Sequence, residues 1–208
     1  VIKIITTSDG SHSLLNTELD ETYHSRHGAV QESLHVFIKN GLDVLSLEEI
    51  NVFEVGFGTG LNALLAAQSN KRINYTSIEA FPLPEEVYSQ LNYEPHDLLQ
   101  QLHRAAWDHK SQISNLALTK FHTTLEAIPL SPNQFNIIFF DAFAPSKQPA
   151  MWDLPMLKKV CDSLAPGGLF VTYCAKGQLK RDLKSLGLDV ETLPGPPGKK
   201  EMVRAKKL

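Results

Sequence analysis

FEVGFGTGLN, residues 53–62, is the stretch from which the fold is read. Gly56, Gly58 and Gly60 stand between a β-rich run, INVFEVG, and a helix-forming one, LNALLAAQ. Such a turn lets backbone approach a ligand closely, and the start of the helix offers free N–H donors. The spacing is GxGxG, and Leu61 occupies the place of the third glycine of the dinucleotide fingerprint GxGxxG. The next β-rich run, INYTSIEA, brings Glu79 to its end, where a carboxylate can accept both hydroxyls of a ribose. Glycine turn and acid together imply a cofactor that contains a nucleoside.

Further along the chain, LALTKF, FNIIFFD and GLFVTYC read as strands. Helix signals lie between them, in residues 83–107 (divided by Pro95), in TLEAI, in LPMLKKVCDSLAPGG and in GQLKRDLKSLG. Alternation of this kind predicts a parallel sheet with helices on both faces. GLDVETL and KKEMVRAKKL, joined by PGPPG, predict a closing antiparallel pair, because so short a loop suits a hairpin rather than a crossover. The expected fold is α/β: a mostly parallel, twisted, seven-stranded Rossmann-like sheet with an antiparallel last strand. Residues 46–208 form that body. Residues 1–45 are expected as a small appendage: a hairpin turning at Asp9-Gly10 as a two-residue turn, and a helix carrying Val30, Leu34, Phe37, Ile38 and Leu42.

Composition narrows the class. The 208 residues, 42% hydrophobic and 21% charged, suit one globular domain. No apolar run approaches the ~20 residues that span a bilayer, and the first residues lack the pattern of a secretory signal, so a cytoplasmic location is the default. Cys161 and Cys174 make neither a disulfide framework nor a metal cluster, and His24, His27 and His35 lack a convincing fourth ligand, so no metal is expected. Val1 in place of Met leads us to expect residues upstream. The net charge of −3 is uneven: residues 176–208 hold nine Lys/Arg against four Asp/Glu, and the preceding residues eleven against nineteen. A basic end on an acidic body could meet a polyanion, although on charge alone a solvated edge is the favoured reading.

The glycine turn leaves S-adenosylmethionine and a nicotinamide dinucleotide as choices. A dinucleotide needs its pyrophosphate seated on the helix start; S-adenosylmethionine carries no phosphate, and its ammonium and carboxylate can be met by Glu54 plus backbone N–H groups. Methyl transfer leads, and spacing alone does not settle it. The second informative stretch is NIIFFDAFAPSKQPAMWD, residues 136–153, where an apolar strand ends at a single acid, Asp141. An unpartnered buried carboxylate would be costly; beside a sulfonium and an amine it has partners. Phe143 and Trp152 could stack on a base, though as aromatics they more often serve a core, and Pro145 and Pro149 shape the loop.

Several separated motifs resemble the methyltransferase domain of the MnmC family and its single-domain MnmD relatives: YHS with QESLHVF, VGFGTGLNALL, IEAFPL, DAFAPSKQPAMW, LAPGG and GPPGKKEM. The resemblance runs from about residue 23 to 202. It implies a class I methyltransferase that moves a methyl group from S-adenosylmethionine to the exocyclic amine of 5-aminomethyl-(2-thio)uridine at position 34 of tRNA. Fused relatives carry a second, FAD-dependent oxidoreductase domain. The chain ends at Leu208, so the methylation step alone is implied, with the aminomethyl substrate made by a separate oxidoreductase or by upstream tRNA-modifying enzymes. By this resemblance Glu54, Gly56, Gly58, Thr59, Gly60, Asn62, Glu79, Phe81 and Thr123 serve the cofactor. Tyr23, Ser25, Glu32, Phe143, Pro145, Lys147, Trp152, Lys199 and Lys200 serve the substrate, with Arg204, Lys206 and Lys207 as further phosphate contacts. Asp141 accepts the departing proton or holds the amine in line. Two departures stand out: KFHTT where a Gly-Asp pair near the adenine is expected, and GPPGKKEM where the fused enzymes carry an aromatic. Rival readings are a spermidine synthase-like aminopropyltransferase (opposed by the absence of DxxD after Asp141), an NAD-dependent oxidoreductase, and a non-catalytic tRNA-binding module.

Overall fold

The computed structural model describes residues 1–208. The main sheet contains β4 (Glu49–Val55), β5 (Arg72–Glu79), β6 (Lys110–Ile113), β7 (Leu116–His122), β8 (Phe135–Phe140), β9 (Leu164–Thr172), β10 (Leu188–Pro194) and β11 (Glu201–Lys207). Their order is β10-β11-β9-β8-β4-β5-β7-β6. β7, β5, β4, β8 and β9 run parallel, while β11 and β10 close the sheet antiparallel. The sheet has eight strands where the sequence predicts seven. The extra one, β6, pairs antiparallel with the edge strand β7; its polar KSQI carries no apolar alternation to announce it.

The central strands β4, β8 and β9 bury both faces, and alternate residues sort into two cores. Val52, Tyr75, Ile137 and Phe139 join a cluster with α2 (Leu61–Ala66) and α4 (His96–Arg104), whereas Phe53, Val55, Ile138 and Phe140 join one with α5 (Leu154–Asp162) and α6 (Gly177–Ser185). The first cluster also takes in Leu14, Val36 and Phe37 from the N-terminal segment, with the Phe37 and Phe139 rings 5.2 Å apart. No helix is long and apolar enough to cross a membrane.

The N-terminal segment forms its own antiparallel sheet, β1 (Ile2–Thr6), β2 (His12–Asn16) and β3 (Glu21–Thr22), followed by α1 (Ala29–Ser33) and a wider π-type turn over Leu34–Lys39. Thr6 faces His12, so the hairpin closes with residues 7–11 and not with the two-residue Asp9-Gly10 turn. The reason lies in Asp9. Its carboxylate accepts the Ser11 N–H at 3.0 Å, the Thr7 hydroxyl at 2.8 Å and the Gln31 N–H of α1 at 3.1 Å, which fastens the hairpin tip to the helix. TLEAI, expected as helix, is one turn closed by Ile128 N–H on Thr124 O. Prolines at 129 and 132 stop it from extending.

Candidate active site

β5 and β8 flank β4 on opposite sides, so crossovers leave β4 in opposite directions and open a cleft beyond the carboxyl ends of these strands. The cleft has a volume of about 1020 Å³. Gly56, Gly58, Thr59, Asn62, Glu79, Phe81 and Thr123 line it, together with Tyr23, Ser25, Glu32, Phe143, Lys199 and Asp141.

Asp141 leaves β8 with its N–H on Val55 O at 3.2 Å, which holds it beside the glycine turn. A Cβ at Gly56 would stand 3.1 Å from Asp141 O, and one at Gly58 would stand 3.3 Å from the Tyr23 ring. Both glycines have positive φ, +92° and +52°. They are required for the close approach of three chain segments and for backbone geometry alike. Asn62, on α2, donates from Nδ2 to Asp141 Oδ2 at 2.9 Å. Burial pushes the Asp141 carboxyl up to about 7; Glu32 adds to the rise, while Asn62 and Lys199 oppose it.

The turn differs from the expected anion cradle. The N–H groups of Gly56 and Phe57 both reach Ile78 O at 3.1 Å, that of Gly58 reaches Glu79 Oε2 at 2.9 Å, and that of Gly60 reaches Phe57 O. Those four amides serve the fold, while the N–H groups of Thr59, Leu61 and Asn62, at the start of α2, have no partner in the protein. Glu79 takes the Gly58 amide on one oxygen and the Phe81 amide on the other, at 2.9 Å each. A carboxylate has about four acceptor positions, so two stay available for hydroxyls. Its pKa is raised by burial and lowered by those amides. Phe81, 78% exposed, presents an apolar ring at the rim. Acceptors for a ribose diol, an aromatic ring at its edge, and an acid two strands away form a set of groups that fits S-adenosylmethionine.

Several expected residues stand elsewhere. Glu54 does not reach the cleft: its side chain lies under α2, fully buried, against Ser77 of the neighbouring strand. It is one residue short of the strand end, and alternation turns it into the α2-side core. The expectation that it meets the cofactor's ammonium is corrected. Gly60 packs against His103 and Phe57 instead of a ligand. Trp152 is buried behind the wall, donating from Nε1 to Phe143 O at 2.8 Å and packing edge-on against Phe140; it supports the loop and stacks on no base. Pro145, Lys147 and Lys200 do not line the cleft. Arg204 pairs with Glu191 at 2.7 Å, and Lys207 donates to Leu164 O at 2.6 Å, so neither is a free phosphate contact.

Tyr173 enters unannounced, beside expected residues whose partners the sequence did not reveal. Lys199 Nζ pairs with the buried Glu32 and lies 4.1 Å from the centre of the Tyr173 ring. Glu32 also accepts the Ser25 N–H at 3.0 Å. Tyr173 anchors its hydroxyl on Ala142 O at 2.7 Å. It stands just past β9, and its place at the carboxyl end of a parallel strand was the signal that could have found it. Tyr23 meets Phe143 edge to face at 5.0 Å. His24 bonds Thr59 Oγ1 at 2.7 Å; burial pulls it down to about 4, and it is neutral at pH 7. His27 packs on Gly198, and His35 bonds Pro194 O, so the three histidines diverge.

Known proteins place this architecture. Over its sequence the chain is 32% identical to the tRNA 5-methylaminomethyl-2-thiouridine biosynthesis bifunctional protein MnmC of Idiomarina loihiensis (91% of this chain, 36% of that one). It is 29% identical to the same-named protein of Cupriavidus metallidurans (90% and 31%). The chain thus spans about a third of the length of these relatives. Among solved structures, MnmC2 of Aquifex aeolicus superposes with a TM-score of 0.83 at 23% identity (99% of this chain, 69% of that one). Spermidine synthase of Thermotoga maritima superposes with 0.61 at 13% (99% and 73%). Both likenesses establish the fold. Residues 85–208 match a family described as S-adenosyl-L-methionine-dependent methyltransferase, in agreement with the diol-accepting acid and the acid-floored cleft. The chain is a member of that S-adenosyl-L-methionine-dependent methyltransferase family.

Proposed function

We propose that the chain methylates the exocyclic amine of 5-aminomethyl-(2-thio)uridine at tRNA position 34, giving the 5-methylaminomethyl form. The observation that carries this reading is the placement of Asp141 in the cleft, beside the glycine turn and near the Tyr23–Phe143 pair. When bound, S-adenosylmethionine supplies an electrophilic methyl carbon on its sulfonium. Glu79 would hold its ribose and Phe81 would cover its adenine.

The remaining chemistry belongs to the chain. An alkylammonium has a pKa of about 10.4, so presenting the free amine at pH 7 costs roughly 4–5 kcal/mol, reduced by the electron-withdrawing uracil. Desolvation beside Tyr23 and Phe143 favours the neutral amine, while the Asp141 carboxylate favours the ammonium. Asp141, near 7, is matched to accept the amine's proton at its carboxylate and to return it to solvent through the open cleft. Asn62 fixes that carboxylate's direction. Tyr23 and Phe143 offer an aromatic corner for an unstacked base, as single-stranded RNA recognition requires. In this reading residues 1–45 supply the substrate wall through Tyr23, Ser25 and Glu32, and residues 46–208 the cofactor half. The aminomethyl uridine would come from an upstream activity such as a separate oxidoreductase.

The rivals fit less well. Aminopropyl transfer to a diamine calls for a second acid close after the first; Asp141 is followed by Ala142, Phe143 and Ala144, and Glu32 is paired with Lys199. A nicotinamide dinucleotide is disfavoured by Leu61 in the place of the third glycine and by the family match. The test is incubation with labelled S-adenosylmethionine and tRNA lacking the terminal methylation, followed by nucleoside mass analysis. Label in 5-methylaminomethyl uridine supports the reading; cofactor binding with no label in that nucleoside overturns it.

A further inference from the structure

Directly under Asp141, on the α2 side of the sheet, sits a second acid that the methylation reading leaves without a role. Glu54 is fully buried and accepts from Ser77 Oγ at 2.7 Å on Oε1. The Tyr75 hydroxyl, from β5, and the Asn62 side chain, from α2, are its other polar neighbours, and Asp141 is the charged group that acts on it. Within this cluster three buried atoms have no hydrogen-bond partner in the protein: Glu54 Oε2, Asn62 Oδ1 and Tyr75 Oη. Buried polar groups are rarely left so, and three around one carboxyl call for a single explanation.

Counting donors supplies it. Asn62 directs Nδ2 at Asp141, which leaves its carbonyl as an acceptor on the Glu54 side. Ser77 already donates to Oε1. With Glu54 ionised, one donor remains, the Tyr75 O–H, for two acceptors, Glu54 Oε2 and Asn62 Oδ1. Flipping Asn62 only moves the conflict, since its carbonyl would then face Asp141 Oδ2. One proton on Glu54 pairs both acceptors, Oε2–H donating to Asn62 Oδ1, and Tyr75 Oη stands beside them without a hydrogen bond in the protein.

We propose that Glu54 is a neutral carboxylic acid at pH 7 and a positioning residue, whose proton locks the Asn62 amide so that its N–H faces Asp141 and keeps Asp141 as the anion. Of the two acids, Glu54 lies deeper. Burial pushes it up to about 8, with Ser77, Tyr75 and Asn62 opposing and Asp141 adding, against about 7 for Asp141, which faces Glu32 and Lys199 as well. The catalytic part of the proposal rests on Asp141 acting on the substrate amine; the protonation itself does not.

Infrared difference spectroscopy tests it without tRNA. With Asp141→Asn as the background, so that Asp141 contributes no band, the protein at pH 7 is expected to show the C=O stretch of a buried protonated carboxyl that titrates away as pH rises through about 8 and is lost when Glu54→Gln is added. Absence of that band in Asp141→Asn, or its survival in the double variant, overturns the proposal; an ionised Glu54 bridged by internal water would give the first result. With tRNA, Glu54→Ala should lose at least 100-fold in turnover. Glu54→Gln, whose amide can donate to Asn62 Oδ1, should recover at least a tenth of wild-type turnover and lose the alkaline fall of the wild-type profile. Equal loss in both variants, with the Gln protein folded, overturns the positioning role. Should Glu54→Ala fail to fold, the spectra still decide, and a failure to methylate any tRNA would leave the infrared result standing on its own.

Discussion

Replacing Asp141 with Asn should make the protein more stable and nearly inactive. The carboxyl ordinarily titrates near 3.8 and stands at about 7 in the fold, mainly through burial, with Glu32 adding. Its folded value lies above its unfolded value, so the ionised form opposes folding. The penalty is absent below about 3.8, grows as pH rises, and is complete above about 7. Linkage puts it at about 4 kcal/mol at pH 8 and roughly 2 kcal/mol at pH 5, as upper bounds. Asparagine keeps the shape and can still accept from Asn62 Nδ2. Allowing for relaxation and water access, we expect a gain of about 2 kcal/mol at pH 8, or ~4–8 °C in melting temperature for a chain of this size. Urea unfolding at pH 8 and pH 5 measures the gain and its decline. Calorimetric titration should show S-adenosylmethionine affinity within about threefold of wild type, while turnover falls at least ~100-fold, the scale of a lost general base. A variant less stable at pH 8, a gain that does not shrink by pH 5, or undiminished turnover would each refute the assignment.

Three further outcomes follow from the same geometry. Gly58→Ala places a methyl 3.3 Å from the Tyr23 ring at φ +52°, so it should cost about 1–2 kcal/mol in stability and weaken cofactor binding in calorimetry; normal affinity would show that the turn has slack. Glu79→Gln should raise KM for S-adenosylmethionine by about 10-fold with little change in kcat, since one charge-assisted acceptor is lost equally from ground and transition states; a fall confined to kcat would contradict its ribose role. Lys199→Met leaves the buried Glu32 charge without its cation and should lose roughly 2 kcal/mol in urea unfolding, less than a fully buried pair because Lys199 is partly exposed. Adding Glu32→Gln should restore most of that loss, and a double variant no better than the single one would deny the coupling.

The residues legible in the sequence are those at the ends of strands. Gly56, Gly58, Glu79 and Asp141 each mark a break where an apolar run meets a turn, and the parallel order of β4, β5 and β8 brings such breaks to one edge. Local punctuation together with the crossover rule was enough to bring them into one cleft. The antiparallel closure by β10 and β11 was legible for a similar reason, the short PGPPG loop. β6 and the tip of the first hairpin were missed because side-chain hydrogen bonding and edge pairing, rather than apolar period, form them.

What the sequence by itself determined, then, is the sheet, its switch point and the acid beyond it, since hydrophobic period and glycine chemistry act over a few residues. Only the tertiary structure decided which charges face one another there. Glu32 and Lys199 meet across 167 positions, Trp152 turns behind the wall it was expected to form, and Glu54 falls beneath α2 rather than beside the ligand. Those outcomes depend on which face of each element is buried against which neighbour, and a linear pattern constrains the face of a strand but not the partner packed upon it.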